Sequence, residues 1–268
     1  MPELPEVETV ARSLAPHLKG RRILSAEFRK PRVLRGDPEE TARKLAGRLI
    51  QSVRRYGKFI LLELDSGGYF IVHLGMTGKL LLNGELNSAI DKHTHAILNL
   101  DRGVLLYRDA RQFGRLEWSA TLPARIEKLG PDPLLIPLED FTASLRLRKT
   151  RMKSLLLNQK FLRGMGNIYA DEALFRAGIH PLAIASRLRR DRARKLYDAM
   201  REVLTEAIEK RGSSISDYVD ADGRQGSFQL LHRVYRRTGQ PCVACGKPIR
   251  RILVTQRGTH FCPNCQKK

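Results

Sequence analysis

Met1-Pro2-Glu3-Leu4-Pro5-Glu6-Val7-Glu8-Thr9-Val10 opens the chain, and its reading decides how the rest is arranged. Removal of Met1, which a small second residue permits, leaves Pro2 with a free pyrrolidine nitrogen, Glu3 beside it and Glu6 one helical turn on. An α-amino group titrates near about 7.7–8.0 in model peptides, and partial burial enlarges its uncharged fraction. Such an amine can attack a sugar or carbonyl carbon and form an iminium. The same residues also read as a proline in the first turn of a helix whose acids complement the dipole, and this stretch alone leaves both readings open. From Glu6 onward Val7, Val10, Leu14 and Leu18 share one helical face, ending at Gly20. A helix packed through that face holds Pro2 and Glu3 rigidly at its start; Pro16 is expected to kink it.

Short apolar or β-branched runs follow at 23–28, 49–54, 59–64, 69–74, 79–82, 96–100 and 104–107, separated by Gly, Asp and Asn turns. This is the pattern of an antiparallel sandwich or barrel, with a short helix at Pro38 to Leu45. Proline density then rises at Pro123, Pro131, Pro133 and Pro137, which marks a linker. Beyond it the apolar period changes from two to 3.6, over 152–161, 167–177 and 192–211. The expected architecture is therefore α+β and multidomain. An N-terminal antiparallel β-sandwich with flanking helices (1–122) is followed by a linker (123–137), a helical domain (138–226) and a terminal ribbon (227–268).

The 268 residues carry 49 Lys and Arg against 28 Asp and Glu, a formal net charge of +21. That excess suggests a polyanionic partner, and its spread along the chain argues for a folded basic surface. No run of about 18 apolar residues and no secretory leader is visible, so neither a membrane span nor export is expected. All four cysteines fall near the end, as Cys242-x2-Cys245 and Cys262-x2-Cys265 with sixteen residues between the pairs. This spacing matches a zinc ribbon, in which four thiolates close a tetrahedral structural site and leave no position for substrate. Two disulfides are the alternative, and they suit an exported chain better. Ile249 to Val254 and Thr259 to Phe261 read as a hairpin with Gln256-Arg257-Gly258 at its tip.

Gly164-Met165-Gly166-Asn167 opens a helix with uncovered amides, which bind phosphate or simply turn a corner. Lys153 and Arg163 nearby favour phosphate. The small, polar run from Gly212 to Gly226 reads as a lid or as a connector.

Four of these features resemble the formamidopyrimidine-DNA glycosylase family in register: MPELPEVET, Asp109-Ala110-Arg111-Gln112-Phe113-Gly114, GMGNIYADE, and the ribbon with Gln256-Arg257-Gly258-Thr259. The resemblance implies a helix–two-turn–helix domain and excision of oxidised purines (8-oxoguanine, formamidopyrimidines) from double-stranded DNA, followed by strand cleavage through β,δ-elimination. It implies Pro2 as nucleophile, Glu3 as general acid/base, Glu6 as support and Lys58 near the lesion phosphate. Lys58 without the resemblance is a solvated strand-end charge. Met76, Arg111 and Phe113 match the family's void-filling residues, although an isolated Met and Phe are ordinarily core; Arg111 also suits the orphaned cytosine. Phosphate contacts are expected from His73, His93, Lys153, Asn167, Tyr235 and Arg257, and a lesion-capping loop from Ser213, Ser214, Ile215, Ser216, Asp217 and Tyr218. One structural zinc, no membrane partner, a monomer and a bacterial cytoplasmic setting at the nucleoid complete the expectation. Two stretches depart from the family pattern, Phe161-Leu162-Arg163 and Arg236-Arg237-Thr238-Gly239, and neither touches a catalytic candidate. The related endonuclease VIII-like enzymes act on oxidised pyrimidines and typically begin MPEGPE, so Leu4 favours the purine side. A non-catalytic zinc-ribbon DNA-binding protein is the alternative of a different class.

Overall fold

The computed structural model describes every residue except 1, 66, 84–89, 215–217 and 222. Helix α1 (Leu4–Leu18) starts in a reciprocal capping box: the Glu3 carboxylate accepts from the Glu6 N–H and the Glu6 carboxylate from the Glu3 N–H. Such boxes satisfy two otherwise orphaned donors of the first turn. Val7, Val10, Leu14 and Leu18 are fully buried on one face. The helix runs through Pro16, and the chain leaves it at Gly20 in the left-handed region, φ 79°. Arg55 of the sheet fixes α1 laterally, its Nε 2.6 Å from Glu8 Oε2. Burial alone raises the Glu8 pKa, yet Arg55 and Arg12 outweigh it and hold the carboxyl below its ordinary value.

The first unit continues with β1 (Ile23–Phe28), β2 (Leu34–Arg35), α2 (Pro38–Leu45), β3 (Ile50–Tyr56), β4 (Phe59–Leu64), β5 (Tyr69–His73), β6 (Gly78–Asn83), β7 (Thr94–Leu100), β8 (Val104–Asp109) and β9 (Arg115–Ser119). One sheet has the order β1-β7-β8-β6, the other β2-β9-β5-β4-β3. Every pairing is antiparallel except β2 with β9, which is parallel. A single core gathers α1 with both sheets, including Ile60, Leu62, Val72, Leu98, Leu105 and Tyr107. The two strands not expected from sequence, β2 and β9, are short and bury one residue each, Leu34 and Leu116, too few for a period to show.

The chain divides differently from the expected domain boundaries. Compact unit 1 comprises residues 1–128 and 210–227, and unit 2 comprises 129–209 and 228–268. The segment 210–227 therefore packs with the sandwich, and the ribbon with the helices. Its ends meet at Ser227 N to Lys210 O, 2.8 Å, and Ala221 joins the sandwich core. The stretch around Pro131 is no free linker either: a Cβ on Gly130 would lie 2.6 Å from the carbonyls of Lys160 and Phe161. After α3 (Ala124–Glu127), the second unit holds α4 (Leu138–Arg146), α5 (Met152–Leu157), α6 (Asn167–Arg176), α7 (Arg190–Glu209) and the hairpin β10 (Arg250–Val254) with β11 (Arg257–Phe261). Helix α5 stops earlier than its apolar pattern suggests, because Asn158 turns extended and its side chain accepts from Lys160 N.

Gly212 and Gly20 both have φ 79°, but a Cβ on Gly212 would lie 2.8 Å from Glu6 Oε1, whereas one on Gly20 meets nothing. Gly20→Ala is expected to cost only backbone strain, about 1 kcal/mol, and Gly212→Ala roughly 1–3 kcal/mol together with looser attachment of residues 213–227. Thermal unfolding and limited proteolysis of the two variants side by side measure the difference; equal losses would show that the Glu6 contact contributes nothing.

Candidate active site and nucleic-acid interface

Pro2 and Glu3 are buried at the start of α1. Glu6 serves both sides of this corner: Oε2 accepts from Glu3 N at 2.8 Å, and Oε1 from Ser213 N at 2.8 Å. Tyr218 donates its hydroxyl to Glu6 O at 3.2 Å. Burial and the Glu6 charge push the Tyr218 phenol well above its ordinary value, so it stays a donor. Ser214 Oγ donates to Tyr218 O and accepts from Gly226 N, closing the base of the loop. Ile215, Ser216 and Asp217 of the expected capping loop lie outside the described residues.

Lys58 follows Gly57, whose φ of 61° makes the two-residue turn between β3 and β4. Its charge acts on His73, whose ring lies 5.0 Å from that of Phe59. Burial first, then the charges of Lys58, Arg115 and Arg35, lower the His73 pKa from 6.5 to about 4. At neutral pH this imidazole is uncharged. Nδ1 accepts from Gly75 N at 3.3 Å, leaving the other nitrogen as the N–H donor. A phosphate contact from His73 is then a neutral hydrogen bond. His93 is half-buried in the turn before β7, where its N–H meets Asp91 Oδ1.

Two turns present the expected void-filling side chains. Met76 lies between β5 and β6, and Arg111 and Phe113 between β8 and β9. Met76 is 40% and Phe113 46% exposed, and the Arg111 guanidinium stacks 4.7 Å above the Phe113 ring. Arg115 donates to the carbonyls of Gln112 and Gly114, fixing a loop in which Gln112 adopts φ 54°.

In the second unit the sequence candidates form a buried lattice. The Lys153 ammonium is fully buried, 2.6 Å from Asp171 Oδ1 and 2.8 Å from Asn167 O. Asp171 Oδ2 accepts from His260 N and contacts His260 Nδ1. Asn167 Nδ2 donates to Gly258 O at 3.0 Å, so α6 and the ribbon hairpin hold each other in register. Glu172 accepts from the N–H groups of Arg233, Val234 and Tyr235, while burial raises its pKa against those bonds. Tyr235 is half-buried with its ring edge-on to His260 at 5.1 Å. Arg257 is exposed, but it begins β11 opposite Val254; the tip is Thr255 and Gln256, both at positive φ. Asp171, Glu172, His260 and Asp109 were not singled out from sequence. The first two stand at the end of the GMGNIYADE stretch, but as an acid pair in the otherwise apolar run of α6 their burial is announced by no periodicity.

The four thiol sulfurs lie within 4.8 Å of one another, with Cys242 to Cys265 at 3.9 Å and Cys245 to Cys262 at 3.5 Å. A tetrahedron with Zn–S bonds of about 2.3 Å has edges of about 3.8 Å, so the donor set fits one structural zinc. The Lys247 N–H lowers the Cys245 thiol, whereas burial and then the neighbouring thiols raise Cys262 and Cys265, so binding of zinc would release protons from these ligands.

With the positive excess, this arrangement defines a class, that of zinc-ribbon enzymes acting on nucleic acid. Family models match along the chain: the formamidopyrimidine-DNA glycosylase N-terminal domain over residues 1–116, its H2TH domain over 129–219, and the zinc finger found in FPG and IleRS over 239–268. A formamidopyrimidine-DNA glycosylase of Solibacter usitatus is 65% identical over the full length of both chains, and that of Bacillus subtilis 45%, again over both full lengths. Among solved structures, the Thermus thermophilus MutM (Fpg) protein has a TM-score of 0.88 at 43% identity, covering 99% of this chain and 98% of its own. A Lactococcus lactis Fpg mutant in complex with DNA containing Fapy-dG reaches 0.92 at 39% identity over both full lengths. The chain belongs to the formamidopyrimidine-DNA glycosylase family. It is a DNA glycosylase of base-excision repair with AP lyase activity.

The His73 environment predicts an acid-side loss of stability. Its folded pKa of about 4 lies below the unfolded value of 6.5, so the unfolded chain takes up the proton first as pH falls. The contribution is complete above about pH 6.5 and declines towards pH 4, by up to roughly 3 kcal/mol. His73→Gln is expected to show a flatter fall of unfolding free energy across that window. Denaturant titrations at several pH values measure it, and parallel curves for both proteins would refute the assignment.

Proposed function

We propose that Pro2, freed by removal of Met1, is the nucleophile in the excision of oxidised purines such as 8-oxoguanine and formamidopyrimidines from duplex DNA. The observation that carries this reading is the Glu3–Glu6 capping box at the amine, with Glu6 also holding Ser213 of the loop. The proline nitrogen forms a bond to the sugar's anomeric carbon as the glycosidic bond breaks, and the base leaves with a proton. Opening of the sugar ring gives an iminium, from which β- and then δ-elimination release the flanking phosphates. Glu3 exchanges protons at the deoxyribose, Glu6 keeps helix and loop in place, and Lys58 accompanies the lesion phosphate. Met76, Arg111 and Phe113 fill the gap left by the everted base. Ser213 to Tyr218 cover that base.

Phosphates are held by Arg257 as a cation, by His73 as a neutral donor and by Asn167 and the α6 amides, with Tyr235 and His93 at the margin. Lys153 contributes from beneath, by fixing the start of α6. The protein acts as a monomer in the bacterial cytoplasm on nucleoid DNA; no helix among the described residues is long and apolar enough to cross a membrane.

Borohydride trapping on duplexes with 8-oxoguanine opposite cytosine tests the covalent step. Pro2→Gly, which keeps only a primary amine, is expected to lose most trapping, and Glu3→Gln to block excision while DNA binding persists. Undiminished trapping by Pro2→Gly would remove Pro2 from the mechanism.

The salt dependence of binding separates cation from wedge. Arg257→Ala is expected to flatten the slope of log K against log salt by about one unit, whereas Met76→Ala and His73→Gln leave it nearly unchanged at neutral pH. Equal flattening by Met76→Ala and Arg257→Ala would contradict this division.

A further inference from the structure

We propose that Asp109 is the positioning residue that makes the Met76 turn and the Arg111–Phe113 loop one rigid wedge. The inference rests on the reading of Met76, Arg111 and Phe113 as void-filling residues.

Asp109 ends β8 and is fully buried. Its Oδ1 accepts from Thr77 Oγ1 at 2.5 Å and from Arg111 N at 3.2 Å. Its Oδ2 accepts from Gly114 N at 2.8 Å and from Tyr107 Oη at 3.1 Å. Thr77 follows Met76 and Gly114 follows Phe113, so each wedge residue is at, or next to, a donor to this one carboxylate. The Thr77 hydroxyl also accepts from Arg111 N at 3.2 Å, a second bond between the turns. His95, buried on β7, holds the Asp109 carbonyl through Nε2 at 2.8 Å.

Glycine removes what would otherwise separate the two turns. A Cβ on Gly75 would lie 2.4 Å from Gly114 N, and one on Gly114 would lie 1.7 Å from Tyr107 Oη. Backbone meets backbone, and only an acceptor with several lone pairs can bind the donors that converge there. An ionised carboxylate is acceptor-only, with about four such sites, whereas an amide would turn two hydrogens towards existing donors. Large apolar side chains on exposed turns ordinarily sample several positions. Here their backbones are fixed before DNA arrives, which lowers the ordering cost of inserting them into the stack.

The test compares Asp109→Asn, Thr77→Val and Met76→Ala, alone and with Asp109→Asn combined with Met76→Ala. Single-turnover excision is measured on duplex DNA carrying 8-oxoguanine opposite cytosine, and lyase turnover on a single strand with a preformed abasic site, where no stack needs refilling. Asp109→Asn is expected to slow duplex excision about tenfold or more while single-strand lyase stays within about twofold. Thr77→Val, which leaves the carboxylate in place, follows in the same direction with a smaller loss and serves if Asp109→Asn folds poorly. Met76→Ala is expected to cost less in the Asp109→Asn background than alone, because the wedge is already unseated. Equal slowing on both substrates by Asp109→Asn and by Thr77→Val would mean a general structural role and overturn the proposal, as would equal Met76→Ala costs in both backgrounds. If Met76→Ala slows excision and neither Asp109→Asn nor Thr77→Val does, the role of Asp109 alone falls. If Met76→Ala alone leaves excision unchanged, the void-filling reading fails and this inference falls with it.

Discussion

The Glu6 carboxylate is the constraint on which the first unit's reactive corner depends. One oxygen closes the capping box with Glu3 and the other holds Ser213, some two hundred residues further along the chain. With each oxygen engaged by a different backbone N–H, this carboxylate is held in one orientation, which suits a support. Its position at the first turn of α1 also makes the helix itself the lever. Four fully buried side chains and the Arg55–Glu8 pair fix that helix on the sheet, so Pro2 at its start and Ser213 on Glu6 are held with it.

The second unit solves the same problem with charge in place of a helix cap. Lys153, Asp171 and His260 form a buried run joining α5, α6 and the ribbon, and Glu172 collects three backbone amides ahead of the first knuckle. Isolated buried charges are costly, and these are tolerated because each is paired or multiply hydrogen-bonded. The ribbon is small and its apolar cluster amounts to Phe175, Val234 and Ile249 around the cysteines. Metal closes the knuckles, while these polar contacts decide where the knuckles point.

Periodicity made α1, α2 and most strands legible, because in each a buried side recurs at a fixed interval. The four-cysteine ribbon was legible because metal geometry demands its spacing. What stayed hidden was settled by contacts distant in sequence. Gly212 to Gly226 read as a lid or connector within the helical domain, yet Ala221 and Tyr218 pack on the sandwich core and Glu6 anchors Ser213. Lys153 read as a phosphate contact, and nothing local indicates that Asp171, eighteen residues on, takes its ammonium inside. Asp109 stood inside a recognised stretch without drawing notice, because an acid at a strand end is ordinarily a solvated turn residue.

These placements change what the net charge of +21 can mean. Of the lysines and arginine expected at phosphates, Lys153 is internal, Lys58 is half-buried and Arg257 faces solvent. His73 is neutral at working pH because burial first, and then the charges of Lys58, Arg115 and Arg35, disfavour its cation. On the proposed reading, contacts near the chemistry rest on oriented N–H groups, which fix register and release no counterions, together with the Lys58 cation. The general basic surface supplies attraction that salt weakens. On the proposed reading, recognition of damage is expected to survive ionic conditions that loosen overall binding, since a wedge replaces stacking and releases no counterions. The positive excess suits a polyanion, while Glu6 and Asp109, each holding donors from separate stretches of backbone, fix the local geometry that the proposed reading presents to one nucleotide.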